Sequence, residues 1–206
     1  MPNMTSFARR STLLFETICI RAAQPQNLAF HLIRMRKSVG EIKFNPLKVL
    51  NLAISQSTHQ AALQRAKLIY TVNGELVSCE LSPYKPRQIA SIRLINSDID
   101  YSKKWLDRSE IDALFALKGR CDEVLVVKDG LISDTSIANV AVLIGGKWLT
   151  PKTPLLRGTC RDRLVGQRLI KPANIDVKSL LEARGFAVLN AMTGFRQLEG
   201  VSFELF

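Results

Sequence analysis

Histidine is almost absent from this 206-residue chain, which carries only His31 and His59. With so few, metal-centred chemistry drops out of the candidate functions. Cysteine is sparse as well. Cys19, Cys79, Cys121 and Cys160 stand far apart, and no CxxC pair that could hold zinc or form a redox couple occurs. Three of them lie in apolar stretches, so the sequence implies reduced, structural thiols and a cytoplasmic setting. No apolar run approaches the length of a membrane helix, and Arg9-Arg10 is not followed by the apolar core of a signal peptide, so no membrane association is expected. Internal repeats and low-complexity segments are also missing. Charge leans one way: 29 Lys and Arg against 18 Asp and Glu leave a net +11. No basic run is interleaved with aromatics and no nucleic-acid motif appears, which argues against nucleic acid as a partner. The positive excess suits a basic solvated surface together with attraction of anionic ligands, such as a phosphate group or a carboxylate substrate.

A hydrophobic content of 47% with 23% charged residues describes a globular chain able to bury a sizeable core. In order, Leu13 to Ile20 reads as a strand. Asn27 caps a helix running to about Ser38 and ended by Gly40. Pro46 begins a second helix to about Gln64, and 66–72 and 75–81 form a hairpin about Asn73-Gly74. Residues 88–95 alternate as another strand. Residues 1–97 therefore look like a small α+β unit, with the polar stretch Asn96 to Lys104 as connector. A second unit, 98–206, follows with helices over 109–118, 158–170 and 177–184 and a strand over 186–190. The class is α/β (α+β) in two domains.

The most informative stretch is Tyr101 to Asn139. Asp122 to Val127 is an apolar, β-branched run that predicts a buried strand. Lys128-Asp129-Gly130 is a tight turn, and Leu131 to Ser133 starts the return strand. Asp134-Thr135-Ser136 then places a carboxylate and two hydroxyls where apolar side chains would be buried, which costs free energy unless they find partners.

Taken with Phe15-Glu16-Thr17 near the start, the run Lys104-Trp105-Leu106-Asp107-Arg108, a helix, a strand, Asp-Gly and then Ile132 to Asn139 resembles the class IV, fold type IV enzymes of pyridoxal 5'-phosphate (PLP). That group includes branched-chain and D-amino-acid aminotransferases and 4-amino-4-deoxychorismate lyase. The resemblance runs from Phe15 to about Gly200. It implies PLP as cofactor in an interdomain cleft, and a homodimer with sites near the subunit interface. Relatives usually carry an extra hairpin before the Phe-Glu-Thr strand, so part of the substrate pocket wall is expected to be either absent or supplied by a partner subunit.

Residue by residue, the resemblance makes Lys104 the amine that joins the cofactor aldehyde and shuttles the substrate proton. Adjacent Lys103 leaves the register open by one, and the match through Leu106, Asp107 and Arg108 selects Lys104. Asp134 falls where the family holds the cofactor's ring nitrogen with a carboxylate, more often Glu; a turn cap is its other reading. Ser136 and Asn139 join the cofactor contacts. Arg34, in His31-Leu32-Ile33-Arg34, matches the phosphate arginine, against the reading of an ordinary helix-surface arginine. Gly158, Thr159 and Cys160 open a helix whose free N–H groups favour an anion. Asn190, Ala191 and Met192 match the last cofactor loop, with Met192 expected to contribute through its backbone alone. Arg108 is the candidate substrate contact. Thr17 matches a lyase hydroxyl, although a β-branched strand residue is its plainer reading. The reaction implied is conversion of 4-amino-4-deoxychorismate to 4-aminobenzoate and pyruvate. An amino-acid transaminase and a relative that binds PLP or an anion without efficient turnover stay open.

Overall fold

Alternation along the first strand determines where everything else sits. In the computed structural model, which describes residues 12–58 and 62–206, β1 (Leu13–Arg21) pairs antiparallel with β3 (Leu63–Thr71) along its whole length, from Leu13 opposite Thr71 to Arg21 opposite Leu63. Side chains alternate between the faces of a strand. One face of β1 carries Leu14, Glu16, Ile18 and Ile20, all buried; Leu14, Ile18 and Ile20 pack in the two apolar clusters on that side. The other presents Phe15 and Thr17 to a cavity. β2 (Gln24–Pro25) and β4 (Leu76–Pro83) complete a four-stranded sheet in the order β2-β1-β3-β4.

Two helices cover the buried face. α1 (Leu28–Val39) follows Asn27, which takes a left-handed conformation (φ 53°) and makes no side-chain cap, so the capping expected of it is absent. Gly40 ends the helix at φ 80°, its N–H bonded to the Arg36 carbonyl. α2 (Pro46–Gln56) begins as expected, with Asn45 accepting from the Lys48 N–H, and stops well before Gln64. Ser57 is already extended, and residues 63–65 enter β3, because pairing with β1 overrides the helical pattern of that stretch. Residues 59–61, His59 among them, lie outside the described residues.

Beyond this sheet, β5 (Ser91–Asn96) runs parallel to β6 (Glu123–Lys128), and β7 (Leu131–Thr135) returns antiparallel. Asp129 and Gly130 join them with φ of 50° and 75°, the two positive values of a type I′ hairpin. With β13 (Ser202–Glu204) these strands form a sheet ordered β13-β5-β6-β7. Sequence periodicity alone groups β5 with the first unit; its hydrogen bonds tie it to β6 and β13 instead.

The third sheet, β10-β9-β8-β11-β12, contains β8 (Asn139–Ile144), β9 (Lys147–Pro151), β10 (Lys171–Ala173), β11 (Phe186–Asn190) and β12 (Gly194–Leu198). Its inner side chains, Val140, Val142, Phe186 and Val188, meet Leu94, Leu125 and Val127 of the second sheet in the largest core cluster. Three short helices flank these strands: α3 (Ser109–Ala116), α4 (Thr159–Gly166) and α5 (Val177–Leu181), each shorter than its periodicity predicts. The fold class is the mixed α/β expected. No helix among the described residues is long and apolar enough to cross a membrane.

Leu14 is fully buried behind the cavity face of β1, whereas Leu76 on β4 is 39% exposed. Leu14→Ala should lower unfolding free energy by roughly 2–5 kcal/mol and Leu76→Ala by about 0.5 kcal/mol or less, measured by denaturant titration. Equal losses at the two sites would contradict this division of faces.

Candidate active site

A cavity of about 500 Å³ opens between the first sheet and the other two. Its centre is the segment that carries Lys104. This segment is held to β1 by backbone bonds on both sides of Leu14: Phe15 N–H donates to the Lys104 carbonyl (3.0 Å), and Leu106 N–H donates to the Leu13 carbonyl (2.9 Å). Side chains therefore alternate here too. Lys104 lines the cavity, with its Nζ 4.5 Å from the centre of the Phe15 ring. Lys103 is turned elsewhere and donates to the Ser38 carbonyl (2.8 Å).

Lys104 is only half-buried, yet burial pushes its amine down from 10.5 to about 7. The positive charges of Arg34 and Arg108 act in the same direction, and Glu16 opposes them. Near neutral pH a large share of this amine is unprotonated and nucleophilic.

The polar break after Ser133 proves to be a built corner. Thr135 takes the Ala138 N–H (3.0 Å) on its hydroxyl and donates that hydroxyl to the Ala138 carbonyl (3.1 Å), so the chain turns into β8. Ser136 N–H donates to the buried Glu123 (3.3 Å), and Arg108 donates to the Ser136 carbonyl (2.9 Å). Arg108 also stands 3.5 Å from Asp112.

Asp134 is nearly inaccessible at 4% exposure. Its two oxygens accept from Asn139 Nδ2 (2.8 Å) and the Leu156 N–H (3.0 Å). Burial nevertheless dominates and pushes the carboxyl up from 3.8 to about 7, while those two bonds and the nearby Arg161 pull it down. Asn139 also donates to the Leu156 carbonyl (2.8 Å). A Cβ built on Gly158 would lie 2.0 Å from Asn139 Oδ1. Glycine at 158 thus lets Asn139 sit where it holds Asp134.

Gly158 brings no capping side chain to the first turn of α4, which leaves the N–H groups there for an anion. α1 packs against α4, and Arg34 of α1 lines the same cavity. Arg34 is 12% exposed, and its Nε (2.9 Å) and Nη2 both donate to Glu16, which has no exposed surface. This is not an ordinary helix-surface arginine.

Of the residues singled out in the sequence, Thr17, Arg34, Lys104, Arg108, Asp134, Ser136, Asn139, Gly158, Thr159, Asn190, Ala191 and Met192 all reach the cavity. Cys160 does not line it. Its side chain is buried with Ala141, Leu164, Ile170 and Leu189 beneath α4, so only its backbone is left to serve an anion. At Met192 the expected backbone contact finds its N–H already donated to Asn190 Oδ1 (3.0 Å), while the buried Met192 side chain forms cavity wall. Asn190 Oδ1 also takes both the N–H and the hydroxyl of Thr193, so this side chain mainly shapes its own turn.

Sequence reasoning missed several contributors. Glu16 has no motif of its own beyond its place in Phe-Glu-Thr. Arg65 and Lys67 line the cavity from β3, and Lys85 and Arg87 from the loop after β4. Lys67 stands directly opposite Thr17 across the strands, a placement readable only once the register is known.

Comparison with known proteins identifies the family and the fold. Residues 13–200 match the family described as Amino-transferase class IV. An uncharacterized protein of Haemophilus influenzae is 36% identical over 186 residues, which is 88% of this chain and 98% of that protein. A crystal structure presented as a candidate 4-amino-4-deoxychorismate lyase of Haemophilus somnus superposes with a TM-score of 0.78 at 31% identity, covering 89% of this chain and 97% of that one. A hypothetical aminotransferase of Mycobacterium tuberculosis in its PLP-bound form shares the fold, with a TM-score of 0.77 at 19% identity over 99% of this chain and 86% of that one.

The raised carboxyl of Asp134 has a measurable consequence for the protein without added ligands. Between about pH 4 and about pH 7 the folded protein keeps a proton that the unfolded chain has released, so this group makes stability fall as pH rises. Asp134→Asn should therefore gain on the wild type through that window and hold a constant advantage above it, measured as melting temperature against pH. Parallel curves from pH 4 to pH 7 would contradict the raised value.

Proposed function

This chain belongs to the amino-transferase class IV family, and on that premise we propose that it is a PLP enzyme that splits 4-amino-4-deoxychorismate into 4-aminobenzoate and pyruvate. The family is one of fold type IV enzymes of the lyase and aminotransferase kind. Fit to the cofactor rests on the donor set. The Lys104 amine, lowered to about 7, is the group able to join an aldehyde at neutral pH. Asp134 is the buried carboxylate that would face the ring nitrogen, and a cation beside it favours its charged form. Arg34, Thr159 and the first turn of α4 would hold the phosphate.

When bound, PLP supplies an electron sink for the pair left at the substrate's C4. Lys104 would take the proton from the substrate's C4. Thr17, whose hydroxyl has no hydrogen-bond partner among the described residues, stands on the cavity face of β1 and would pass a proton to the enolpyruvyl oxygen as its bond to the ring breaks. The two products together hold every atom of the substrate, so the reaction needs no keto acid and no external oxidant.

The observation that carries the lyase reading is the cavity wall itself. Arg65, Lys67, Lys85, Arg87 and Arg108 line it in addition to Arg34 and Lys104, against Asp112 and Asp134 as the acidic residues. A dicarboxylate substrate matches that excess. The likeness to the Haemophilus somnus protein supports the same reading. The homodimer and cytoplasmic setting implied by the family go with the proposal.

Protein loaded with PLP and given 4-amino-4-deoxychorismate without a keto acid should release 4-aminobenzoate and pyruvate in equal amounts. Thr17→Val should lower the rate by roughly a hundredfold or more, the usual worth of a positioned proton donor. Amino-group exchange between an amino acid and a keto acid, with no 4-aminobenzoate formed, would replace the lyase with a transaminase.

A further inference from the structure

A carboxylate buried at the centre of a strand requires an explanation. Glu16 has no exposed surface and sits on the helix-covered face of β1, among Leu14, Ile18 and Ile20. An apolar side chain would suit that position, and burying a charge is unfavourable unless it is fully partnered. The partners are present. Glu16 Oε1 and Oε2 accept from Nε and Nη2 of Arg34, and Oε2 also lies 2.6 Å from Nδ1 of His31, one turn back along α1. Burial would raise the Glu16 carboxyl, but the Arg34 guanidinium and the hydrogen bonds to His31 and Arg34 hold it down at about 2. His31 is itself buried, at 1% exposure.

The geometry restrains one edge of a guanidinium. Nε and one Nη2 hydrogen of Arg34 are turned into the protein, and no hydrogen bond to a described residue uses Nη1. Donors on the Nη1 side and the second Nη2 hydrogen remain for a ligand, since a guanidinium has no acceptor and cannot rotate its N–H groups out of plane. Because Arg34 lines the cavity, the restraint fixes which donors it presents there.

We infer that Glu16, braced by His31, is a positioning residue that aims Arg34 at the phosphate monoester of the cofactor. The inference rests on the reading of the site as a PLP site. Glu16 does not line the cavity; it acts through Arg34. Its role is orientation, so a change in overall stability is not the diagnostic. Removing one partner of a buried ion pair is destabilising in itself, so a loss of stability in a Glu16 variant would not report on orientation.

The readout is the ratio of the dissociation constants for PLP and pyridoxal, which differ only in the phosphate monoester, titrated by absorbance on the full-length protein. The wild type should strongly prefer PLP. Glu16→Gln should weaken PLP by roughly tenfold or more, as for loss of a charge-assisted bond, and leave pyridoxal unchanged. Arg34→Ala should collapse the preference, and adding Glu16→Gln to it should change the ratio no further, because the two residues act in series. If Glu16→Gln does not yield folded protein, Glu16→Asp carries the same test, keeping the charge but drawing it back by one methylene.

Three results would be adverse and mean different things. Equal weakening of PLP and pyridoxal by the Glu16 variants would make Glu16 merely structural and overturn the inference. A collapse with Arg34→Ala but none with the Glu16 variants would overturn it while leaving Arg34 at the phosphate. A wild type with no preference for PLP would overturn both the inference and the PLP reading beneath it.

Discussion

Two backbone hydrogen bonds, from Phe15 N–H to the Lys104 carbonyl and from Leu106 N–H to the Leu13 carbonyl, join β1 to the segment that carries Lys104. Because β1 is itself locked to β3 over its full length, these bonds place Lys104 against a rigid sheet rather than in a free loop. The same strand shows Phe15 and Thr17 to the cavity and hides Glu16 behind it. Covalent chemistry, proton relay and the backing of Arg34 would thus be set by one alternation of side chains. A one-residue slip of β1 against β3 would exchange these roles.

Burial is the second organising constraint, and it acts in opposite directions on two groups. It lowers the Lys104 amine to about 7 and raises the Asp134 carboxyl to about 7. Both effects favour the neutral form, as expected when water is withdrawn from an ionisable group. Without a ligand, the cavity thus holds both groups closer to neutrality than either would be in water. Glu16 is the exception, because the Arg34 guanidinium and its hydrogen-bond partners overcome burial and keep it charged. The difference lies in partners: the Arg34 guanidinium and the His31 ring for Glu16, but an amide and a backbone N–H as the direct donors to Asp134.

Much of this was legible in the sequence, for identifiable reasons. The strand at 13–20, the Asp129-Gly130 hairpin and the polar break at 134–136 follow from local pattern and turn chemistry. The convergence of Lys104, Arg34, Asp134, Gly158 and Asn190 came from motif order along the chain. Local pattern failed where pairing overrides it: α2 ends at Gln56 because residues 63–65 join β3, and β5 belongs with β6 and β13. It also failed where function depends on register. Lys67 opposite Thr17, and Glu16 behind Arg34, become visible only when strand faces and helix placement are known. At Cys160 the motif spoke only for the backbone, and it did not reveal that the side chain points into the core.

The central claim is that Lys104, and not its neighbour, is the amine that binds the cofactor aldehyde. The direct test is borohydride treatment of the protein mixed with PLP, followed by peptide mapping by mass spectrometry. The account predicts a single modified lysine at 104, lost in Lys104→Ala and kept in Lys103→Ala. Modification at Lys103, or none at either residue, would contradict it.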